Sequence, residues 1–174
     1  MKEIPLTQGK VALVDDEDYA ALNAFKWSAY RGGRTWYAVR AIRRPGGGQT
    51  TESLHRVVLA RKLNRDLTKK EYCDHVDGDG LDDRRENLRS VTWDQNMRNC
   101  WRRKADATSQ YMGVSWHKAR GKWRARIRVP GKVVFLGYHA TDIDAAMVRE
   151  AYIGAHPELC ARSNFTQPTQ GDSK

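Results

Sequence analysis

The chain has 174 residues, 40% of them hydrophobic, and a formal net charge of +10, which predicts one large or two small folded domains. No apolar run approaches the roughly 18 residues of a membrane span, and no basic start with an apolar core indicates a signal peptide, so we expect a cytoplasmic protein without a membrane partner. Cys73, Cys100 and Cys160 form no Cys-x-x-Cys pair, which argues against a disulfide framework and a structural zinc ribbon.

The first half of the chain predicts small elements and little chemistry. Residues 11–14 and 36–42 are typical of strands, and residues 16–25 of a short helix. The Pro-Gly-Gly-Gly run at 45–48 predicts a flexible turn, and Leu54, Val57 and Val58 indicate an amphipathic helix.

The segment from Tyr72 to Asn99 carries most of the chemical information. Its start predicts a strand ending at Asp74 and His75, followed by a tight Asp-Gly-Asp-Gly turn. The chain then returns through an extended stretch to Thr92, which can cap a helix carrying Asn96 and Asn99 on one face. Asp74 offers a hard oxygen ligand for a magnesium-like ion, and His75 can take a proton from water near neutral pH.

This segment resembles the His-Asn-His (HNH) nucleases with a ββα-metal fold, in the variant where asparagine replaces the last histidine. The resemblance implies that Asp74 and Asn96 hold one divalent cation and that His75 is the general base. Asn87 would hold the His75 ring through a side-chain to backbone contact. All-oxygen ligation favours Mg²⁺ or Mn²⁺, one ion per active site, over zinc.

Three further residues have supporting roles by the same resemblance. Asn99 would support the metal site or reach a phosphate. His55 and Arg56 resemble a recurrent His-Arg pair that precedes the nuclease motif, and they either support the site or form a surface pair on a helix.

A calcium loop is the alternative for the acidic stretch, because Asp77, Asp79 and Asp82 alternate with glycine. The bidentate glutamate expected at the twelfth position is missing, since counting from Asp77 places Leu88 there. The pattern therefore favours the nuclease interpretation.

The positive charge is concentrated in residues 101–140, which hold 10 Lys/Arg against 1 Asp/Glu. Lys122 to Val129 places an arginine at every second position, and period two predicts Arg124, Arg126 and Arg128 on one face of a strand. Residues 113–117 and 132–138 predict two further strands, and a capping sequence at 141–144 predicts a helix.

The pattern Tyr-Met-Gly-Val at 111–114, with Gly-Lys-Trp-Arg-Ala at 121–125 and Phe-Leu-Gly-Tyr at 135–138, resembles the APETALA-type, or ethylene-response-factor, DNA-binding domain. In that family the exposed face of a three-stranded sheet lies in the major groove. Ser115, Trp116 and His117 stand where the plant domains have arginines, so base specificity cannot be carried across. The expected DNA-binding residues are Arg102, Arg103, Lys104, Trp116, His117, Lys122, Arg124, Arg126, Arg128 and Lys132.

The sequence thus predicts an α+β protein with an HNH nuclease domain in residues 1–100, a basic linker at 101–110, an APETALA-type domain at 111–165 and a disordered tail at 166–174. The expected function is that of a homing-type endonuclease from a bacterial host or a phage, acting on double-stranded DNA and monomeric if it nicks. The alternatives are a DNA-binding regulator with an inactive nuclease module, and a structure-specific or RNA-directed nuclease.

Overall fold

A computed structural model describes residues 1–33, 35–99 and 107–165, which form a mixed α+β protein with small antiparallel sheets. The chain divides into two compact units, the first of which ends at Thr92 and the second of which begins at Trp93. Among the described residues, every helix is too short or too polar to traverse a bilayer.

The first unit contains three antiparallel sheets and two helices. In chain order its elements are β1 (Lys2–Pro5), β2 (Val11–Val14), α1 (Asp16–Asn23), β3 (Ser28–Gly32), β4 (Thr35–Arg43), β5 (Gln49–Ser53), α2 (Leu54–Leu63), β6 (Glu71–His75) and β7 (Leu88–Thr92). Strands β1 and β2 pair as a hairpin, β3, β4 and β5 form a meander, and β6 pairs with β7. The predicted strands at 11–14 and 36–42 and the turn at 45–48 are confirmed, whereas β1, β3 and β5 were not predicted.

One hydrophobic core holds this unit together. Helix α2 buries Leu54, Val58 and Leu59 completely, and they pack with residues from β1, β2 and β7, including Leu88. Burying such side chains stabilises the fold by roughly 1.5–3 kcal/mol each. The packing of α2 also fixes the position of His55, which lies in its first turn.

The second unit contains α3 (Trp93–Asn99), β8 (Val114–His117), β9 (Lys122–Val129), β10 (Lys132–His139) and α4 (Asp142–Ala155). The three strands form one antiparallel sheet with β9 in the centre, and α4 packs against all three strands. The predicted sheet packed on one helix is therefore confirmed. The Thr141 hydroxyl accepts a hydrogen bond from the Asp144 amide at 3.1 Å, so the predicted helix cap is also present.

The boundary between the units differs from the predicted one at residue 100. The buried Asn99 side chain donates to the Cys160 carbonyl at 2.6 Å and accepts from the Arg162 amide at 3.0 Å, which ties α3 to the second unit. The predicted linker at 101–110 lies mostly outside the described residues, as does the predicted tail at 166–174.

Candidate active site and nucleic-acid interface

The β6–β7 hairpin carries Asp74 and His75 in neighbouring positions. The register pairs Asp74 with Arg89 and His75 with Leu88 across the two strands. Because successive side chains of a strand point to opposite faces, the two residues have different environments. Asp74 accepts two hydrogen bonds from the Arg89 guanidinium, at 2.7 and 3.0 Å, and remains 14% exposed.

His75 is buried, with 6% of its side chain exposed, and it faces a fully buried carboxylate. Its Nε2 lies 2.9 Å from Oδ1 of Asp83. An ionised carboxylate only accepts hydrogen bonds, so in this contact Nε2 carries the proton and Nδ1 is the basic nitrogen of the neutral ring.

Backbone hydrogen bonds to strand β2 hold Asp83 beside His75. The Leu13 amide donates to the Leu81 carbonyl at 2.8 Å, and the Asp83 amide donates to the Leu13 carbonyl at 2.9 Å. These two bonds attach the loop between β6 and β7 to a core strand about 70 residues earlier in the chain. The Asp83 side chain is therefore held by backbone geometry.

The protonation of His75 reflects two opposing effects. Burial by itself would lower the pKa of His75, but the hydrogen bond and negative charge of Asp83, with further charge from Asp77 and Asp74, raise the pKa above its ordinary value. Burial in turn raises the pKa of the Asp83 carboxyl, and the contact with His75 opposes that rise. The pair thus retains a proton more strongly than an exposed histidine would.

A second imidazole lies beside the first. The ring centroids of His55 and His75 are 5.3 Å apart in an edge contact, and the Tyr37 ring lies 5.4 Å from His55 and 6.0 Å from His75. Burial, together with the charges of His75 and Arg56, lowers the pKa of His55 to about 3. His55 is therefore a neutral imidazole at physiological pH.

Arg56 supports the hairpin through its backbone. Its guanidinium donates to the carbonyls of Glu71 at 2.8 Å and Thr68 at 3.4 Å, at the start of β6. These donors hold the start of the strand that carries Asp74 and His75, and a role of Arg56 at an active site or a phosphate stays a prediction.

Asn87 supports the loop, and the His75 ring is held by Asp83 instead. The buried Asn87 amide donates to the Asp77 carboxylate at 2.9 Å and the Asp82 carbonyl at 2.8 Å, and it accepts from the Asp77 amide at 3.1 Å. The expected side-chain to backbone contact exists, but it closes the loop that delivers Asp83. The His75 ring itself contacts Asp83, so an orienting role of Asn87 for that ring stays a prediction.

The acidic loop uses its carboxylates internally. Asp77 accepts from the Asp79 amide at 2.8 Å, and Asp79 accepts from the Leu81 amide at 3.0 Å. Asp82 is fully buried and paired with the Arg84 guanidinium at 2.6 Å. These contacts stabilise turns, so they give no support to the calcium-loop alternative.

Two of the predicted site residues lie in the second unit. Asn96 is half-buried on α3, and its role as a metal ligand stays a prediction. The Asn99 side chain donates to the Cys160 carbonyl and accepts from the Arg162 amide, and its role at a metal or phosphate stays a prediction.

The central strand of the second unit displays the predicted alternation. Ala125, Ile127 and Val129 are buried, whereas Arg126 and Arg128 are exposed on the opposite face. Arg124 lies half-buried on the same face as the two exposed arginines, and it donates to the Ser115 hydroxyl at 3.3 Å. Lys122 and Lys132 are exposed at the starts of β9 and β10. The predicted residues Arg102, Arg103 and Lys104 lie outside the described residues.

Aromatic rings share this basic face. Phe135 pairs with Arg126 in the register and is 53% exposed, and its ring centroid lies 4.9 Å from that of Tyr138. Tyr138 also contacts His117, with ring centroids 5.0 Å apart, and the Arg120 guanidinium lies 4.9 Å from its ring centroid. We call the face formed by Arg124, Arg126, Arg128, His117, Phe135 and Tyr138 the arginine–aromatic face.

Trp116, one of the expected DNA-binding residues, lies on the other face of the sheet from His117. The register pairs Trp116 with Trp123, and their ring centroids are 5.2 Å apart. Trp123 packs against the core formed with Ala125 and α4, although Trp116 remains 41% exposed. Successive residues of a strand point to opposite faces, which explains why Trp116 and His117 separate.

Comparison with known proteins gives one partial match. Over 69 residues, or 40% of this chain, it is 38% identical to Protein 3.8 of Escherichia phage T7. The matched region spans 56% of the length of that phage protein. No protein-family model matches the chain. No solved structure matches it either.

Asp83 and Arg89 are the site residues that sequence reasoning missed. Asp83 is one of five aspartates between positions 74 and 83, and neither spacing nor periodicity distinguishes it. Arg89 could have been found from the predicted hairpin, because opposite charges paired across two strands are a common stabilising contact.

Proposed function

We propose that this protein is a metal-dependent endonuclease of the HNH type that hydrolyses phosphodiester bonds in double-stranded DNA. The observation that carries the proposal is a buried imidazole, His75, whose Nε2 is held by Asp83, next in sequence to a half-buried hard ligand, Asp74. A general base needs a fixed tautomer and a pKa near the working pH, and this contact favours both.

The chemistry of Asp74 fits a hard divalent cation. Carboxylate oxygen is the ligand that Mg²⁺ and Mn²⁺ prefer, and the side chain is partly exposed. Arg89 competes for the same carboxylate, so a cation would displace its guanidinium. When bound, such an ion supplies positive charge for the phosphate oxygens and for the leaving group.

Residues of this chain would accept the proton from the attacking water and limit the access of other water molecules. Nδ1 of neutral His75 accepts a proton from the attacking water, and Asp83 holds the ring through Nε2 and stabilises the imidazolium that forms. Asn87 keeps the loop closed so that Asp83 stays buried. The His55 ring lies in edge contact with the His75 ring and limits the access of water on that side.

We propose that the arginine–aromatic face of the second unit binds the DNA. Exposed guanidinium groups neutralise phosphates or contact guanine edges in the major groove, and exposed rings such as Phe135 contact sugars and thymine methyl groups. A phage relative suggests that the gene is phage-borne and that the enzyme acts in a bacterial host, in the manner of a homing-type endonuclease.

A DNA-binding regulator with an inactive nuclease module is the second candidate, and the Asp74–Arg89 ion pair favours it. If Arg89 permanently occupies Asp74, no cation binds there. Cleavage of supercoiled plasmid distinguishes the two, with Mg²⁺, Mn²⁺, Ca²⁺ and EDTA compared in parallel. The nuclease proposal predicts cleavage with Mg²⁺ or Mn²⁺, binding without cleavage in Ca²⁺, and no cleavage in EDTA; binding without cleavage under all conditions supports the regulator.

A further inference from the structure

His75 and two neighbouring side chains offer three potential metal ligands, apart from Asp74 on the other face of the strand. One atom each from His55, His75 and Asp83 lie within 4.8 Å of one another. His75 and Asp83 are buried, and His55 is half-buried. Two imidazole nitrogens and one carboxylate oxygen are a common ligand set for borderline divalent cations.

Two polar atoms of these side chains have unmet hydrogen-bonding capacity. Within the described part of the chain, His55 Nδ1 and Asp83 Oδ2 are buried and make no hydrogen bond. A buried polar atom without a partner costs about 1–3 kcal/mol, so such atoms are rare in a folded protein. Both belong to the three-residue cluster, which indicates that a positively charged partner would be stabilised at this place.

We propose that His55, His75 and Asp83 form a binding site for a borderline divalent cation such as Zn²⁺ or Co²⁺. It differs from the hard-ion ligand Asp74 in its donor atoms. Ligand atoms around a tetrahedral zinc ion lie about 3.3 Å apart, so binding requires side-chain adjustments of about 1 Å within the cluster. Neutral imidazole is the metal-binding form of histidine, so binding should weaken as the pH falls.

The site has a regulatory consequence that rests on the proposed function. A cation on His75 occupies the ring that would accept the proton from water, and it also takes Asp83 away from its role as the orienting partner. Zinc bound here therefore inhibits cleavage that depends on Mg²⁺ or Mn²⁺. The two metals would act in opposite directions on one enzyme.

Cobalt binding to the full-length protein tests the site without any cleavage measurement. The visible absorption of four- or five-coordinate Co²⁺ is followed during titration of the EDTA-stripped protein. We expect one Co²⁺ per chain, displaced by Zn²⁺ and insensitive to excess Mg²⁺. His55→Gln and Asp83→Asn should each weaken binding by at least about tenfold. His156→Gln, which removes an exposed histidine of the second unit, serves as the matched control and should bind normally.

A measurement on the wild-type protein covers the case in which a buried substitution prevents folding. Paramagnetic Co²⁺ broadens the imidazole NMR signals of its ligands, so the His55 and His75 signals should broaden first among the five histidines. Broadening of His117, His139 or His156 first, an absence of binding, or unchanged affinity in folded His55→Gln would overturn the proposal. If Co²⁺ binds as described but no cleavage is found with any metal, the site stands and the nuclease proposal fails.

Discussion

At the scale of single residues, one buried pocket shifts two histidines in opposite directions. Burial and the neighbouring positive charges lower the pKa of His55, whereas the Asp83 contact outweighs burial and raises the pKa of His75. The rings are in edge contact, so the difference arises from which one faces the carboxylate. The contact with Asp83 therefore makes His75, and not His55, the imidazole that binds a proton more readily.

The pH dependence of folding tests this assignment in EDTA. His55 has a pKa of about 3 in the folded protein and an ordinary value of about 6.5 when unfolded, so the unfolded chain binds the extra proton between these values. Its contribution to stability is therefore present above about pH 6.5 and is lost as the pH falls. From about pH 7.5 to about pH 5.5, wild type should lose about 1.4 kcal/mol more than His55→Gln.

Urea unfolding at the two pH values measures this difference. The raised pKa of His75 contributes in the opposite direction, with stability present at low pH and lost as the pH rises through the folded value. Because both proteins retain His75, the comparison of wild type with His55→Gln isolates His55. An identical pH dependence in the two proteins would show that His55 is not held in its neutral form.

The sequence predicts Asp74 and His75 because their position before an Asp-Gly turn is a local pattern. It does not predict Asp83, because that residue reaches His75 only through the bonds of its loop to Leu13 in β2. Contacts between distant segments leave no periodic signal. The same limit explains why the sequence does not predict the hydrogen bonds of Asn87 to Asp77 and Asp82.

At the scale of elements, the loop between β6 and β7 depends on Asn87. Asn87→Ala removes three buried hydrogen bonds and leaves the Asp77 amide and the Asp82 carbonyl without their partner. We expect a loss of at least about 2 kcal/mol in the free energy of unfolding, since each unpaired buried group costs about 1–3 kcal/mol. Asn23→Ala, at an exposed position of α1, is the matched control and should change stability by less than about 0.5 kcal/mol.

Chemical denaturation of Asn87→Ala, Asn23→Ala and wild type measures the free energies of unfolding to be compared. A stability for Asn87→Ala within about 0.5 kcal/mol of wild type would contradict the assigned role of the loop. Destabilisation together with retained affinity for DNA would agree with it, because the arginine–aromatic face belongs to the second unit.

In the second unit, periodicity predicts which side chains of β9 are exposed but not which side chains of α4 are buried. Period two correctly placed Arg126 and Arg128 on the exposed face of β9. On α4, the apolar residues Ala145, Val148, Tyr152 and Ala155 recur at helical spacing, yet Val148 is 37% exposed and Arg149 is buried. The Arg149 guanidinium is satisfied inside by the Arg162 carbonyl at 3.0 Å and the Met112 sulfur at 3.3 Å. A buried arginine with internal partners cannot be recognised from an apolar pattern.

At the scale of the whole molecule, the boundary after Thr92 affects how the units can be separated. A truncation near Asn99 would detach α3 from its hydrogen-bond partners Cys160 and Arg162. Point substitutions in the full chain are therefore the better test of whether the first unit catalyses cleavage and the second unit binds DNA.

The salt dependence of DNA binding tests the second unit. In Arg126→Gln/Arg128→Gln, the slope of log K against log salt should fall by about 0.9 for each phosphate that the protein no longer neutralises, and affinity should fall with it. Lys69→Gln/Lys70→Gln removes the same charge from exposed positions of the first unit and is the matched control. Equal slopes in the two double variants would mean that net charge, and not the arginine–aromatic face, determines binding.

In the proposed mechanism, His75 generates the nucleophile for phosphodiester hydrolysis. The most direct measurement is the single-turnover rate of plasmid cleavage in Mg²⁺ for wild type and His75→Ala, with His156→Ala as the control and DNA affinity measured in Ca²⁺. We expect His75→Ala to cleave about 10²- to 10⁴-fold more slowly with nearly unchanged affinity, because only the general base is removed. A His75→Ala rate within tenfold of wild type, or no cleavage by wild type itself, would contradict this role of His75.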